Sequence, residues 1–177
     1  MFGKRIPLFH LFGIEIRLDL SWIFIAVLIT WTLSSGVFPA YYPDLDVATY
    51  WTMGVVAAAG LFASIILHEL AHSAVARRDG LPIDGITLFV FGGVAEMGAE
   101  PPSPGAEFRM AIAGPIASLV IAAVCWLVAN GAEAAGASTP FVGVFAYLAL
   151  INTVLAVFNM VPAFPLDGGR VLRAALW

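Results

Sequence analysis

The sequence predicts an α-helical integral membrane protein of about four transmembrane helices, with short membrane-associated β-strands. Three observations predict it. Apolar residues make up 61% of the 177, charged residues only 11%, and the mean hydropathy is +0.95, values of a membrane protein rather than a water-soluble domain. Four apolar runs are each long enough to cross a bilayer as a helix. With four spans, all eight Lys and Arg residues fall on one side, whereas the loops at 36–50 and 131–140 have none. By the positive-inside rule both termini are then cytoplasmic. The formal net charge of −4 says less than this distribution.

The elements follow in chain order. Residues 4–18 hold two short apolar stretches about Gly13, and Ile14 to Leu18 alternates apolar and charged residues; a β-hairpin is expected. His10 lies in it as an interfacial residue without a metal role. A first helix is expected over about 19–35, then a turn-rich loop from Gly36 to Asp46. The second helix, about 50–77, closes on Arg77, Arg78 and Gly80, a cationic stop with a glycine. Residues 83–97 are rich in β-branched and aromatic residues and broken at Gly92-Gly93, so they read as a second hairpin. The prolines of 100–105 make a stiff connector. A third span over about 107–130 contains Gly114-Pro115, where proline frees a carbonyl and kinks the helix. The fourth, about 140–158, breaks at the Pro- and Gly-rich stretch 159–169. The single cysteine, Cys125, forms no disulfide within the chain and reads as a small lipid- or helix-facing residue.

The chemistry sits near the end of the second helix, where residues 68–72 read H-E-x-x-H. Histidines four apart lie about 40° apart around a helix, one turn up, so His68 and His72 can reach one metal ion. Glu69 points to the rim of the same face, where a carboxylate can take a proton from the attacking water and pass it to a leaving amine. Two histidines and a glutamate are costly at membrane depth, and ionisable groups there mark function. A catalytic zinc takes three protein ligands. Asp167 is the best third: it follows the break in the fourth helix, on the side of His72, with two prolines before it and Gly168-Gly169 behind it. As a residue type in that turn it serves equally well as the cap of a final helix.

Together with H-E-x-x-H, the stretch from Asn159 to Gly168 reads N-x-x-P-x-x-P-x-D-G, complete with Pro162, Pro165 and Asp167. This pair of motifs, in this order, resembles the site-2 proteases, intramembrane zinc metalloproteases of peptidase family M50. Ala113-Gly114-Pro115 is similar to the family's pattern as well. The resemblance implies one Zn2+ per chain held by His68, His72 and Asp167, with Glu69 as general base. It gives Asn159 the role of polar partner to the peptide or the developing oxyanion. It implies a single core domain over 1–177, with no match to a PDZ domain or to the paired CBS domains of one branch of the family. The partners implied are a single-pass regulatory membrane protein as substrate and the lipid bilayer, with no nucleic acid and a homodimer left open. The location implied is a prokaryotic cell membrane.

A peptide bond inside a membrane helix is shielded by its own hydrogen bonds. Cleavage therefore requires the substrate to unwind, and an extended substrate can add to a strand edge at Gly92, Gly93 and Val94. A plain bulge or turn is the equally weighted reading of those glycines. Two other functions compete: a zinc-binding membrane pseudoenzyme or scaffold, which has no need of Glu69, and a metal transporter. A transporter wants ionisable groups along several spans, whereas helices one and three are nearly free of them.

Overall fold

The computed structural model describes residues 5–89, 92–97 and 99–177. Positions 4, 90 and 91 of the expected hairpins lie outside them. Four helical stretches are long and apolar enough to cross a membrane: 21–41, Val47–Arg78, Pro104–Ala134 and Thr139–Asn159. Phe24, Val27, Trp126, Leu127, Leu150 and Val157 are all exposed on these helices. A water-soluble protein rarely shows so much bulky apolar surface, and here it faces lipid. The chain is a multi-pass membrane protein.

The first span differs from the expected helix at 19–35. It starts as α1 (Ser21–Thr32), widens into a π-turn at Leu33–Val37 and continues as α2 (Phe38–Tyr41). The Phe38 N–H bonds to the Leu33 carbonyl, which lets Pro39 enter at the start of a new helical segment, where its missing N–H leaves no gap. The loop foreseen from Gly36 thus begins after Tyr41.

Helix α3 (Val47–Arg78) starts three residues before the expected Tyr50 because Asp46 caps it, accepting a 3.0 Å bond from the Thr49 N–H and a 2.5 Å bond from its hydroxyl. Its buried residues Tyr50, Met53, Ala57, Leu61, Ser64, His68, His72 and Ala76 recur every three or four positions. The metal motif therefore lies on the face that packs inward. At the other end, Gly80 at φ +81° takes the left-handed conformation that reverses the chain into the sheet.

Strands β1 (Arg5–Leu11) and β2 (Ile14–Asp19) form the first hairpin, turning on Phe12 and Gly13, both at positive φ. Strands β3 (Ile83–Phe89) and β4 (Gly92–Met97) form the second, with Leu88 opposite Gly93 and Thr87 opposite Val94. The sequence did not foretell their union: β2 pairs in parallel with β3, joining both hairpins into one four-stranded sheet of order β1-β2-β3-β4. Alternation explains it. Ile14, Ile16 and Leu18 on β2 and Ile86 and Leu88 on β3 are buried together with Leu70 and Ala76 of α3 and Met110 of the next helix. Burying each side chain contributes about 1.5–3 kcal/mol, and neither hairpin has enough apolar surface alone. Arg77 ties the assembly to α3 by donating to the carbonyls of Phe12 at 2.7 Å and Gly13 at 2.8 Å.

Helix α4 (Pro104–Ala134) also starts earlier than expected. Ser103 caps it, with its hydroxyl accepting from the Ala106 N–H, and Pro104 fills the first position. The helix runs on through Pro115. Helix α5 (Thr139–Asn159) packs along α4 and α3, and Cys125 is buried between helices with Leu148 and Ala149. A last short helix, α6 (Asp167–Leu176), returns against α4.

Candidate metal and catalytic site

The structure brings His68, His72 and Asp167 together from α3 and the first turn of α6. The Asp167 Oδ2 lies 3.1 Å from His68 Nε2 and 3.2 Å from His72 Nε2, and the two Nε2 atoms are 3.1 Å apart. Residues 68 and 167 are 99 positions apart in the chain. Asp167 does not cap α6: the N-cap position is Leu166, and the carboxylate is turned to the imidazoles. Burial pushes the Asp167 carboxyl up, but the His68 and His72 side chains beside it outweigh burial and hold it at about 2.

The other ring nitrogens are both occupied. His72 Nδ1 donates to the Met110 carbonyl at 2.6 Å, and His68 Nδ1 meets the Ser118 hydroxyl at 2.9 Å. A donor bond from Nδ1 leaves the Nε2 lone pair free, turned to the shared centre. These three groups are able to hold a metal ion. The residues present fit one for a further reason: a Cβ built on Gly114 would land against the Nε2 atoms of both histidines. Glycine at that point of α4 leaves open the space that the three ligand atoms face. Two imidazoles and one carboxylate are a donor set suited to zinc with an open position.

Glu69 stands beside the ligands on the wall of a cavity of about 480 Å3, with His68, His72, Ser73, Asn159 and Asp167 among its lining residues. Across from it is β4: a Cβ on Gly93 would meet Glu69 at its Cγ, with Cδ at 3.0 Å and Oε1 at 3.1 Å. Gly93 is thus the point at which the strand approaches the carboxylate. Gly92 and Val94 flank it on the same strand, opposite Phe89 and Thr87, and β4 lies at one end of the sheet order. Asn159 lines the cavity from the last turn of α5, but one of its amide hydrogens is already given to the Leu155 carbonyl at 2.9 Å. Its second N–H is the one left for a ligand.

Sequence reasoning missed the outer partners. Met110 acts through its backbone, which no residue pattern reveals. Ser118 is one of few polar residues in the third span and lies four positions after Gly114, a spacing that puts both on one face. That was a readable signal of polar contact inside the bundle.

Comparison with known proteins agrees with this geometry. The model of "Peptidase family M50" matches residues 56–135 and 129–177. Rip3 of Mycobacterium tuberculosis, whose name describes it as a zinc metalloprotease, is 40% identical over 97% of this chain and 44% of its own length. A Synechocystis protein with a name of the same kind is 41% identical over 99% of this chain and 45% of its own. The chain therefore spans less than half the length of these relatives. The solved site-2 protease of Methanocaldococcus jannaschii matches with a TM-score of 0.65 and 34% identity, covering 98% of this chain and 72% of that one. With the family model over more than half of its residues and both motifs in place, the chain belongs to peptidase family M50.

Proposed function

We propose that this protein is an intramembrane zinc metalloprotease that hydrolyses a peptide bond in or near the transmembrane segment of a single-pass membrane protein. The observation that carries the reading is the convergence of His68, His72 and Asp167 at 3.1–3.2 Å, with Glu69 beside them on the wall of a cavity among membrane helices. His68, His72 and Asp167 would hold the ion. Bound zinc supplies Lewis acidity, which polarises the scissile carbonyl and makes water a competent nucleophile near neutral pH.

Every other step belongs to the chain. Glu69 accepts the proton of the attacking water and delivers it to the amide nitrogen as the C–N bond breaks. The free N–H of Asn159 donates to the scissile oxygen as negative charge develops on it. The substrate enters extended and pairs with β4 at Gly92, Gly93 and Val94, since the absence of a side chain at Gly93 lets a strand pass close to Glu69. A sheet edge beside the base favours this reading over a simple bulge. The placement of the eight Lys and Arg residues supports a cytoplasmic location for both termini.

Detergent-solubilised protein mixed with a membrane-embedded substrate tests the proposal. Cleavage is expected with zinc, lost with a chelator and restored by zinc. Zinc binding without any cleavage would instead favour a pseudoenzyme or scaffold. Cleavage indifferent to the chelator would remove the metal from the reaction.

A further inference from the structure

One stripe of α4 serves the site from behind. Glu107, Met110, Gly114 and Ser118 are spaced three, four and four residues apart, and all four are buried. Met110 holds His72, Ser118 holds His68 and Gly114 gives the ligand atoms their space. Glu107, the first of the stripe, makes no hydrogen bond or ion pair with either histidine among the described residues. It instead faces Arg173 of α6: Arg173 Nε donates to Glu107 Oε1 at 2.7 Å, and Nη2 pairs with the same oxygen. Helix α6 is the element that begins with Asp167.

The Glu107 side chain is fully buried, whereas that of Arg173 is 43% exposed. The Glu107 Oε2 has no partner among the described residues. A buried carboxylate with one orphan oxygen is a costly way to fix a short surface helix, since apolar packing does so as well or better. What this ion pair adds is direction, because two N–H groups of one rigid guanidinium plane converge on the single oxygen Oε1.

We propose that Glu107 is a positioning residue of the metal site: through Arg173 it fixes the position of α6, and so holds the Asp167 carboxylate against His68 and His72. The inference rests on the assignment of those three as ligands. All three ligands are then oriented from a single face of α4, two directly and the third through α6. The role differs from plain helix docking in what it controls, which is retention and geometry of the metal rather than stability of the fold.

The test uses Glu107→Gln, Arg173→Lys and the double variant E107M/R173M, with His72→Ala as a control for the ligand set. The double variant replaces the pair by apolar side chains, so no buried charge is left alone. Thermal unfolding reports the fold, transfer of zinc to a chelator reports retention, and the visible spectrum of the cobalt-loaded protein reports ligand geometry. The expected result is a folded double variant that releases zinc about tenfold faster or more, the usual scale for outer partners of a metal ligand. Its cobalt spectrum is expected to change, with Arg173→Lys nearer to wild type. If the double variant does not fold, Glu107→Gln keeps the volume and carries the same two measurements. Wild-type zinc release with an unchanged cobalt spectrum in the folded variant overturns the proposal. If His72→Ala also keeps zinc like the wild type, it is the ligand assignment that fails.

Discussion

At the scale of single residues, the site divides into what a sequence can state and what only the fold can state. His68, Glu69 and His72 stood out because their chemistry is carried by residue type at a fixed spacing, whereas Asp167 as a residue type served equally well as a helix cap and was singled out by the resemblance of its motif. Met110 was not legible as part of it, since its contact is made by a backbone carbonyl 38 positions from His72, and the shared face of Gly114 and Ser118 signalled a contact without naming the histidines as its partners. Gly114 gives the sharpest prediction here. Gly114→Ala puts a methyl group against both imidazole Nε2 atoms and should abolish stoichiometric zinc binding, read as zinc per chain. Gly131→Ala on the same helix meets nothing within 4 Å and should bind zinc as the wild type does. Equal loss in both would mean that the helix, and not the space at 114, is what matters. Ser118→Ala removes only the hydroxyl that meets His68 and should weaken zinc affinity about 10-fold to 100-fold, measured by competition with a chelator.

At the scale of elements, the helices were read more surely than the strands. The length of the apolar runs placed each span, and the ends moved by a few residues where caps took over: Asp46 for α3, Ser103 for α4. The two hairpins were also legible, but their parallel junction was not. Pairing of β2 with β3 spans more than sixty residues and depends on which faces α3 and α4 cover. That junction leaves β4 at the edge beside Glu69, and a prediction follows for it. Val94→Pro removes a backbone donor and should lower turnover of a membrane substrate strongly while zinc stays bound. Val94→Thr keeps the donor and should be mild, and a short peptide that is already extended should feel the proline less. The ladder alternates, so positions 92–97 are to be scanned together. Uniform tolerance of proline there, with cleavage unchanged, would remove strand addition from the account.

At the scale of the whole molecule, composition indicated a membrane protein and the long apolar runs indicated four spans, and the structure has four helical stretches fit to cross a membrane. The last link, which brings Asp167 to the end of α3, follows from the odd and even directions of those spans. Helices α3 and α5 run the same way, so their C-terminal ends meet on one face. By the positive-inside rule we propose that this face is the cytoplasmic one. A cysteine at Asp44 or at Glu133 should therefore react with an impermeant reagent on intact cells, and one at Ser103 should not. The reverse pattern would put the site on the other side of the membrane.

The central claim is that two histidines and an aspartate hold zinc while the neighbouring glutamate moves the proton. Glu69→Gln removes the base and no ligand, so zinc content and cleavage measured on the same purified sample separate the two roles. The account predicts one zinc per chain, as in the wild type, with cleavage down by about 10²-fold to 10⁴-fold. His72→Ala, by contrast, should lose both. A Glu69→Gln protein that cleaves a membrane substrate at the normal rate would contradict the account at its centre.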